Sequence, residues 1–405
     1  MIFLNLLAIM SIPFSAFIVG IVIVKAPNQF NRIIWIFTYC MAMIAYCYSP
    51  TYVNDLARYY AQIDYCRQLP FSEAFTWISD GLVIKNLLFW VLAKINQKNL
   101  LQAIAIGVMY GVSAFIACDA SQESNNHFAS LFIIILGLLP LFLAANNIRN
   151  MIAFALSILA IYRDLVKRNR GALTVFLYIV PCFIHMASVA LLAGRLLLPL
   201  VKRNYRISLG ALIAVPFLVV NLYPILRVIS IPGNTGLIIR RLIFKSYSTV
   251  VGTSAYAIST RESGFNNACR IVMFLFCLLI ACSSFQFLKT DSDGKSRFHD
   301  FILYDAMLCA FTCVYILTGA IKFWVFAVAS VICAIPLLQK LYEGVFRCSL
   351  VHINVCTPIS FLAAARASLE IYFMMSRVNW KELFLNILWK NGLVVFFQIL
   401  RELML

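Results

Sequence analysis

Residues 146–192 read NNIRNMIAFALSILAIYRDLVKRNRGALTVFLYIVPCFIHMASVALL. Two apolar runs flank a basic turn, RDLVKRNR at 163–170, and each carries one ionisable residue far from that turn. Arg149 opens the first run and His185 lies late in the second, just after Pro181. Ionisable groups at membrane depth face a cavity or a partner, so both are candidate site residues. The run 172–200 decides the architecture. As one helix it would be about 43 Å long, beyond a hydrocarbon core of about 30 Å. It would also place RDLVKRNR and the next basic turn, KRNYR at 202–206, on opposite sides. A break near Pro181 and His185 lets the run double back, keeps both basic turns on one side and brings His185 level with Arg149. Non-helical backbone at membrane depth occurs where it lines a cavity, so the broken form is the expectation.

Composition agrees with a membrane setting. The chain has 405 residues, is 63% hydrophobic and 12% charged, and has a mean hydropathy of +0.90. A soluble domain is roughly half apolar and about a quarter charged. The expectation is an all-α, polytopic integral membrane protein with roughly 10–13 transmembrane helices, each needing about 20 apolar residues. It forms a single membrane domain over 1–405, because no polar stretch is long enough to fold around its own core. The first segment, 2–24, lacks a basic leader and a small-residue cleavage site and reads as a retained helix. The 13 Cys form no CxxC pair or Cys/His cluster, so neither a disulfide framework nor a zinc site is expected. Walker and GxGxxG motifs are missing, which speaks against nucleotide cofactors.

The net charge of +17 comes from 33 Lys+Arg against 16 Asp+Glu. Positively charged cytoplasmic turns account for it first, and nucleic acid is not an expected partner. The further spans expected are 33–48, 100–118, 128–145, 151–162, 207–230, 268–288, 301–319, 323–338 and 349–375. The amphipathic stretch 81–95, with Lys85 inside it, is expected to be half-buried or re-entrant, since a full crossing would break the charge rule. Residues 376–391, SRVNWKELFLNILWKN, read as an interfacial amphipathic helix.

Two longer loops fall outside, 49–80 and 231–267. The second holds Arg240, Arg241, Lys245 and Arg261 against Glu262 alone. External positive charge runs against the usual bias, and arginine offers planar, bidentate donors for phosphate or carboxylate; contact with lipid headgroups is the alternative. In the first loop Asp55, Arg58 and Tyr59 share a helical face, so a carboxylate, a guanidinium and a phenol converge. Such a carboxylate can accept a proton or hold a sugar hydroxyl; an ordinary solvated ion pair is the alternative. Lys322 follows an apolar run and either binds an anion or snorkels to the interface.

In order along the chain these features resemble the EpsG/Wzy type of bacterial polysaccharide polymerase. The carriers are D-x-x-x-Y at Asp55–Tyr59, R-x-x-x-A at Arg149–Ala153, and H-x-x-S at His185–Ser188. The family often has Gln after its Arg, where this chain has Asn150, and a late Arg-Phe pair, where this chain has Lys322-Phe323. The resemblance implies a GT-C-like fold in the bacterial inner membrane and a metal-independent glycosyltransferase without cofactor. It joins undecaprenyl-diphosphate-linked oligosaccharide repeat units into O-antigen or exopolysaccharide at the periplasmic face. Expected partners are that lipid-linked substrate, membrane lipids, and a chain-length regulator and flippase of the same pathway. Arg149, Arg58, Tyr59, Arg240, Arg241, Lys245 and Lys322 would bind substrate or diphosphate, and Asp55 or His185 would act as base. A lipid-linked oligosaccharide flippase or an O-antigen ligase are the competing readings.

Overall fold

The structure is a computed structural model that describes residues 30–49, 55–78, 81–121, 134–139, 141–203, 264–291, 294–317, 324–342, 356–389 and 392–404. All regular elements among these residues are helical. They run α1 (Phe30–Cys47), α2 (Asp55–Cys66), a 3-10 turn (Phe71–Glu73), α3 (Val83–Lys94) and α4 (Leu100–Ser121). After a short helical turn over 134–138 come α5 (Leu141–Asn146), α6 (Ile148–Leu165), α7 (Ala172–Ile184) and α8 (Ser188–Arg203). The later elements are α9 (Gly264–Thr290), α10 (His299–Leu317), α11 (Trp324–Cys333), α12 (Ile335–Tyr342), α13 (Cys356–Arg377), α14 (Trp380–Trp389) and α15 (Gly392–Met404).

Helix α4 is apolar all round, which suits a helix at the centre of a bundle. It packs on α1, α5, α6 and α12, and α6 continues the core to α7, α8 and α11. Helices α9 and α10 pair closely beside this group, with α13 against α9.

Among the described residues two helices are long and apolar enough to cross a membrane, Leu100–Ser121 and Asn267–Thr290. Trp380–Trp389 with Val394–Met404 makes a third if this pair, bent by 83°, is one span. The expectation from hydropathy, roughly 10–13 crossings, covers the whole chain; within the described residues part of the difference is visible in the backbone. Runs that hydropathy reads as continuous are broken. The expected span 128–145 is helical over 134–138 and again over Leu141–Asn146. At that break the Leu139 carbonyl accepts a 2.6 Å hydrogen bond from the buried Tyr110 hydroxyl. A side chain thus satisfies what the helix gave up, as apolar surroundings require. The expected span 323–338 divides at Ala334, with Pro336 in the first turn of α12, where its missing N–H is harmless. Helix α3 has 12 residues, about 18 Å, too short to cross alone, in line with the half-buried segment expected there. The expected spans 2–24 and 207–230 lie outside the described residues.

The run 172–200 is broken as its length requires: α7 ends at Ile184 and α8 begins at Ser188. Its two basic ends meet. Arg168, from the turn before α7, and Lys202, at the end of α8, both pair with the buried Asp300, at 3.4 and 2.5 Å. Asp164 at the end of α6 takes Arg170 at 2.8 Å, Arg195 of α8 at 2.6 Å and the Tyr178 hydroxyl at 3.1 Å. Asp119, closing α4, takes Lys167 and Tyr162, and its backbone carbonyl accepts from Arg297 at 2.8 Å. Three buried carboxylates therefore gather the basic turns at one end of the bundle, opposite to the start of α6.

Candidate functional site

The site is built on α2, whose sequence DLARYYAQIDYC turns Leu56, Tyr59, Ile63 and Cys66 inward at helical spacing. Asp55, Arg58 and Asp64 face outward. The helix is pinned from several sides. The Tyr60 hydroxyl donates to Asn99 at 2.8 Å, Lys98 pairs with Asp64 at 2.8 Å, and Trp90 of α3 donates to the Leu69 carbonyl at 3.0 Å. Burial pushes the Tyr60 phenol well above its ordinary range, so it stays a donor.

Arg149 enters as the second residue of α6. Its Nε–H donates to the Tyr59 hydroxyl at 3.0 Å, and its guanidinium carbon lies 5.0 Å from the centre of the same ring. This hydrogen bond leaves Nη1 and Nη2 as its remaining donors. The Arg58 guanidinium stands 5.6 Å from that ring as well. Tyr59 packs on Phe89 of α3 with centroids 5.7 Å apart. Lys85, one turn earlier in α3 and only 2% exposed, places its Nζ 6.0 Å from the Phe89 ring and 5.8 Å from Trp77. Three cations thus surround a floor of Tyr59, Phe89 and Trp77, an arrangement in which ring faces and cations attract each other. The carboxylate of the group, Asp55, pairs with Arg58 at 3.2 Å, and both side chains are more than half exposed. Among the described residues three cations gather with one carboxylate; the partly exposed Arg149 and the exposed Arg58 are the ones an anion can reach, with Tyr59, Phe89 and Lys85 buried beneath them.

His185 caps α7 in extended backbone, φ −150 and ψ 123, and its N–H closes the last turn on the Pro181 carbonyl at 2.9 Å. Its Nδ1 accepts the Ala187 N–H at 3.1 Å. A neutral ring that accepts at Nδ1 carries its proton on Nε2, which is then a donor. The ring meets α6 edge-on at Phe154, 6.3 Å between centroids, about 7.5 Å along the helix from Arg149. Phe154 in turn stacks on Phe326 of α11 at 5.0 Å.

Of the residues expected at the site, the structure gathers Asp55, Arg58, Tyr59 and Arg149, and sets His185 further along α6. The convergence on α2 differs in one respect: Asp55 and Arg58 face outward while Tyr59 is 4% exposed and faces in. Arg240, Arg241, Lys245 and Lys322 lie outside the described residues. Lys85 joins the site from a stretch read only for its topology; its signal was a lone cation in an apolar run. Among the described residues no group of three His, Cys, Asp or Glu side chains gathers as a metal would need. No protein-family model, curated protein or solved structure matches this chain.

Proposed function

We propose that this protein polymerises undecaprenyl-diphosphate-linked oligosaccharide repeat units into surface polysaccharide at the periplasmic face of the bacterial inner membrane, in a GT-C-like bundle. The observation that carries the reading is the contact of Arg149 with Tyr59, which joins the D-x-x-x-Y and R-x-x-x-A stretches into one positive, aromatic-floored site. In such a transfer the bond between the donor sugar's anomeric carbon and the diphosphate breaks, and the lipid diphosphate leaves with the electron pair. The new bond forms to an acceptor hydroxyl, which gives up its proton. Fixed positive charge at the departing diphosphate lowers that barrier without reorganisation. Arg149 supplies it here with Arg58 beside it, and the partly exposed ring of Trp77 suits the apolar face of a sugar. Of the two candidate bases, Asp55 is the better: a carboxylate accepts a proton, whereas His185 as held by Ala187 donates from Nε2.

The test is gel analysis of surface glycan from a deletion strain complemented with wild-type protein or Arg149→Ala. The deletion should leave single repeat units on the lipid anchor, and Arg149→Ala should reproduce it with the protein still in the membrane. Long chains in Arg149→Ala would sink the proposal. Loss of all surface glycan in the deletion strain would point to a flippase instead.

A further inference from the structure

Helix α13 is peripheral and two-faced. Phe361, Ile371 and Tyr372 are exposed on its outer side, while Ile359, Leu362, Ala363, Arg366 and Glu370 form a buried inner stripe. Arg366 has no exposed surface, and its Nε, Nη1 and Nη2 all lack hydrogen-bond partners. Glu370, one turn on, holds Oε2 at 3.8 Å from Nη1, an ion pair but beyond hydrogen-bonding distance. Two described neighbours bring no acceptor to it. The Tyr110 hydroxyl is committed to the Leu139 carbonyl, and Cys269 of α9, within electrostatic reach of both charges, brings a thiol.

The depth of this guanidinium follows from one close contact. A Cβ on Gly137 would stand 2.8 Å from the Ala363 carbonyl oxygen. Only glycine there lets the α13 backbone come so near, one turn before Arg366. The fold thus holds a guanidinium away from water with its donors unused, an arrangement that is costly when nothing binds to it. An orphaned buried donor of this kind marks a place where a water, an ion or a ligand group belongs.

We propose that Arg366 is the centre of a second anion site, which takes the phosphate or diphosphate headgroup of a lipid. Guanidinium donors in a planar fork match the paired oxygens of a phosphate. The ligand arrives on a lipid because the outer face of α13 is apolar and exposed, so the way in lies along the seam between α13 and α9 from the bilayer. Glu370 is the counter-charge that the headgroup displaces, and it opposes binding. This site is separate from the Arg149 cluster and does not rest on the polymerase reading.

The experiment uses full-length protein carrying Arg149→Ala, in nanodiscs of neutral phosphatidylcholine, with radiolabelled farnesyl diphosphate as probe. The Arg149→Ala protein should still bind it. Glu370→Gln on that background should tighten binding roughly threefold or more by removing a like charge. The pair Arg366→Gln with Glu370→Gln, which removes both charges and keeps the fold, should weaken binding roughly tenfold or more, the scale of a lost charge-assisted hydrogen bond. Binding within twofold in that folded double variant, or weaker binding in Glu370→Gln, overturns the site. Competition by phosphatidic acid but not by inorganic diphosphate supports a lipid headgroup; equal competition by inorganic diphosphate overturns the lipid assignment.

Discussion

Arg149 and Tyr59, 90 residues apart in the chain, share one hydrogen bond of 3.0 Å and one ring face at 5.0 Å. The phenol accepts from Nε and so fixes the orientation of the guanidinium plane, while the ring face attracts its charge. An arginine held in this way presents its Nη donors at a set angle, which matters for a planar, bidentate ligand.

Tyr59→Phe separates the two parts of that contact. It keeps the ring on Phe89 and removes the acceptor of Nε. The expected loss of stability is about 1 kcal/mol, with a marked fall in glycan chain length on gels and normal protein abundance. Unchanged chain length would show that the orientation of Arg149 is irrelevant.

His185 is separable at its two nitrogens. His185→Asn retains an acceptor near Nδ1 for the Ala187 N–H and loses the Nε2 donor, so it should melt like wild type in detergent and lose activity. His185→Gln places its amide nearer Nε2 and gives up the cap. It should retain more activity and lose about 1 kcal/mol of stability. The reverse ranking would assign His185 to the backbone break alone.

Reporter fusions test the doubling back of 172–200. A fusion after Arg170 and another after Arg203 should report the same compartment, because Arg168 and Lys202 meet at Asp300. Opposite compartments would require one continuous helix and would undo the geometry around His185.

Tyr110→Phe probes the break after 134–138. The Leu139 carbonyl loses its donor in a buried setting, and the expected cost is about 1–3 kcal/mol, since an unsatisfied buried acceptor bears the full desolvation penalty. Thermal unfolding in detergent measures it; a melting temperature equal to wild type would mean that water replaces the phenol.

The sequence by itself determined the composition class, the all-helical fold, the short reach of α3 and the break near Pro181, because each follows from length, hydropathy or charge along one segment. It also marked Arg149 and His185, since a charge in an apolar run stands out locally. Which charges meet was decided by the tertiary structure alone. Arg149 finds Tyr59, Lys85 reaches the same aromatic floor, and Asp300 draws together the two basic turns, through packing between segments far apart in the chain. The split of 128–145 was hidden for the same reason: hydropathy counts apolar residues, and the hydroxyl that makes the break tolerable comes from another helix, at Tyr110. Arg366 shows the limit most plainly. In sequence Arg366 and Glu370 read as an ordinary i, i+4 pair in an apolar run, and only the packing of α13, with Ala363 against Gly137, shows that this guanidinium faces inward, buried, with its donors unused.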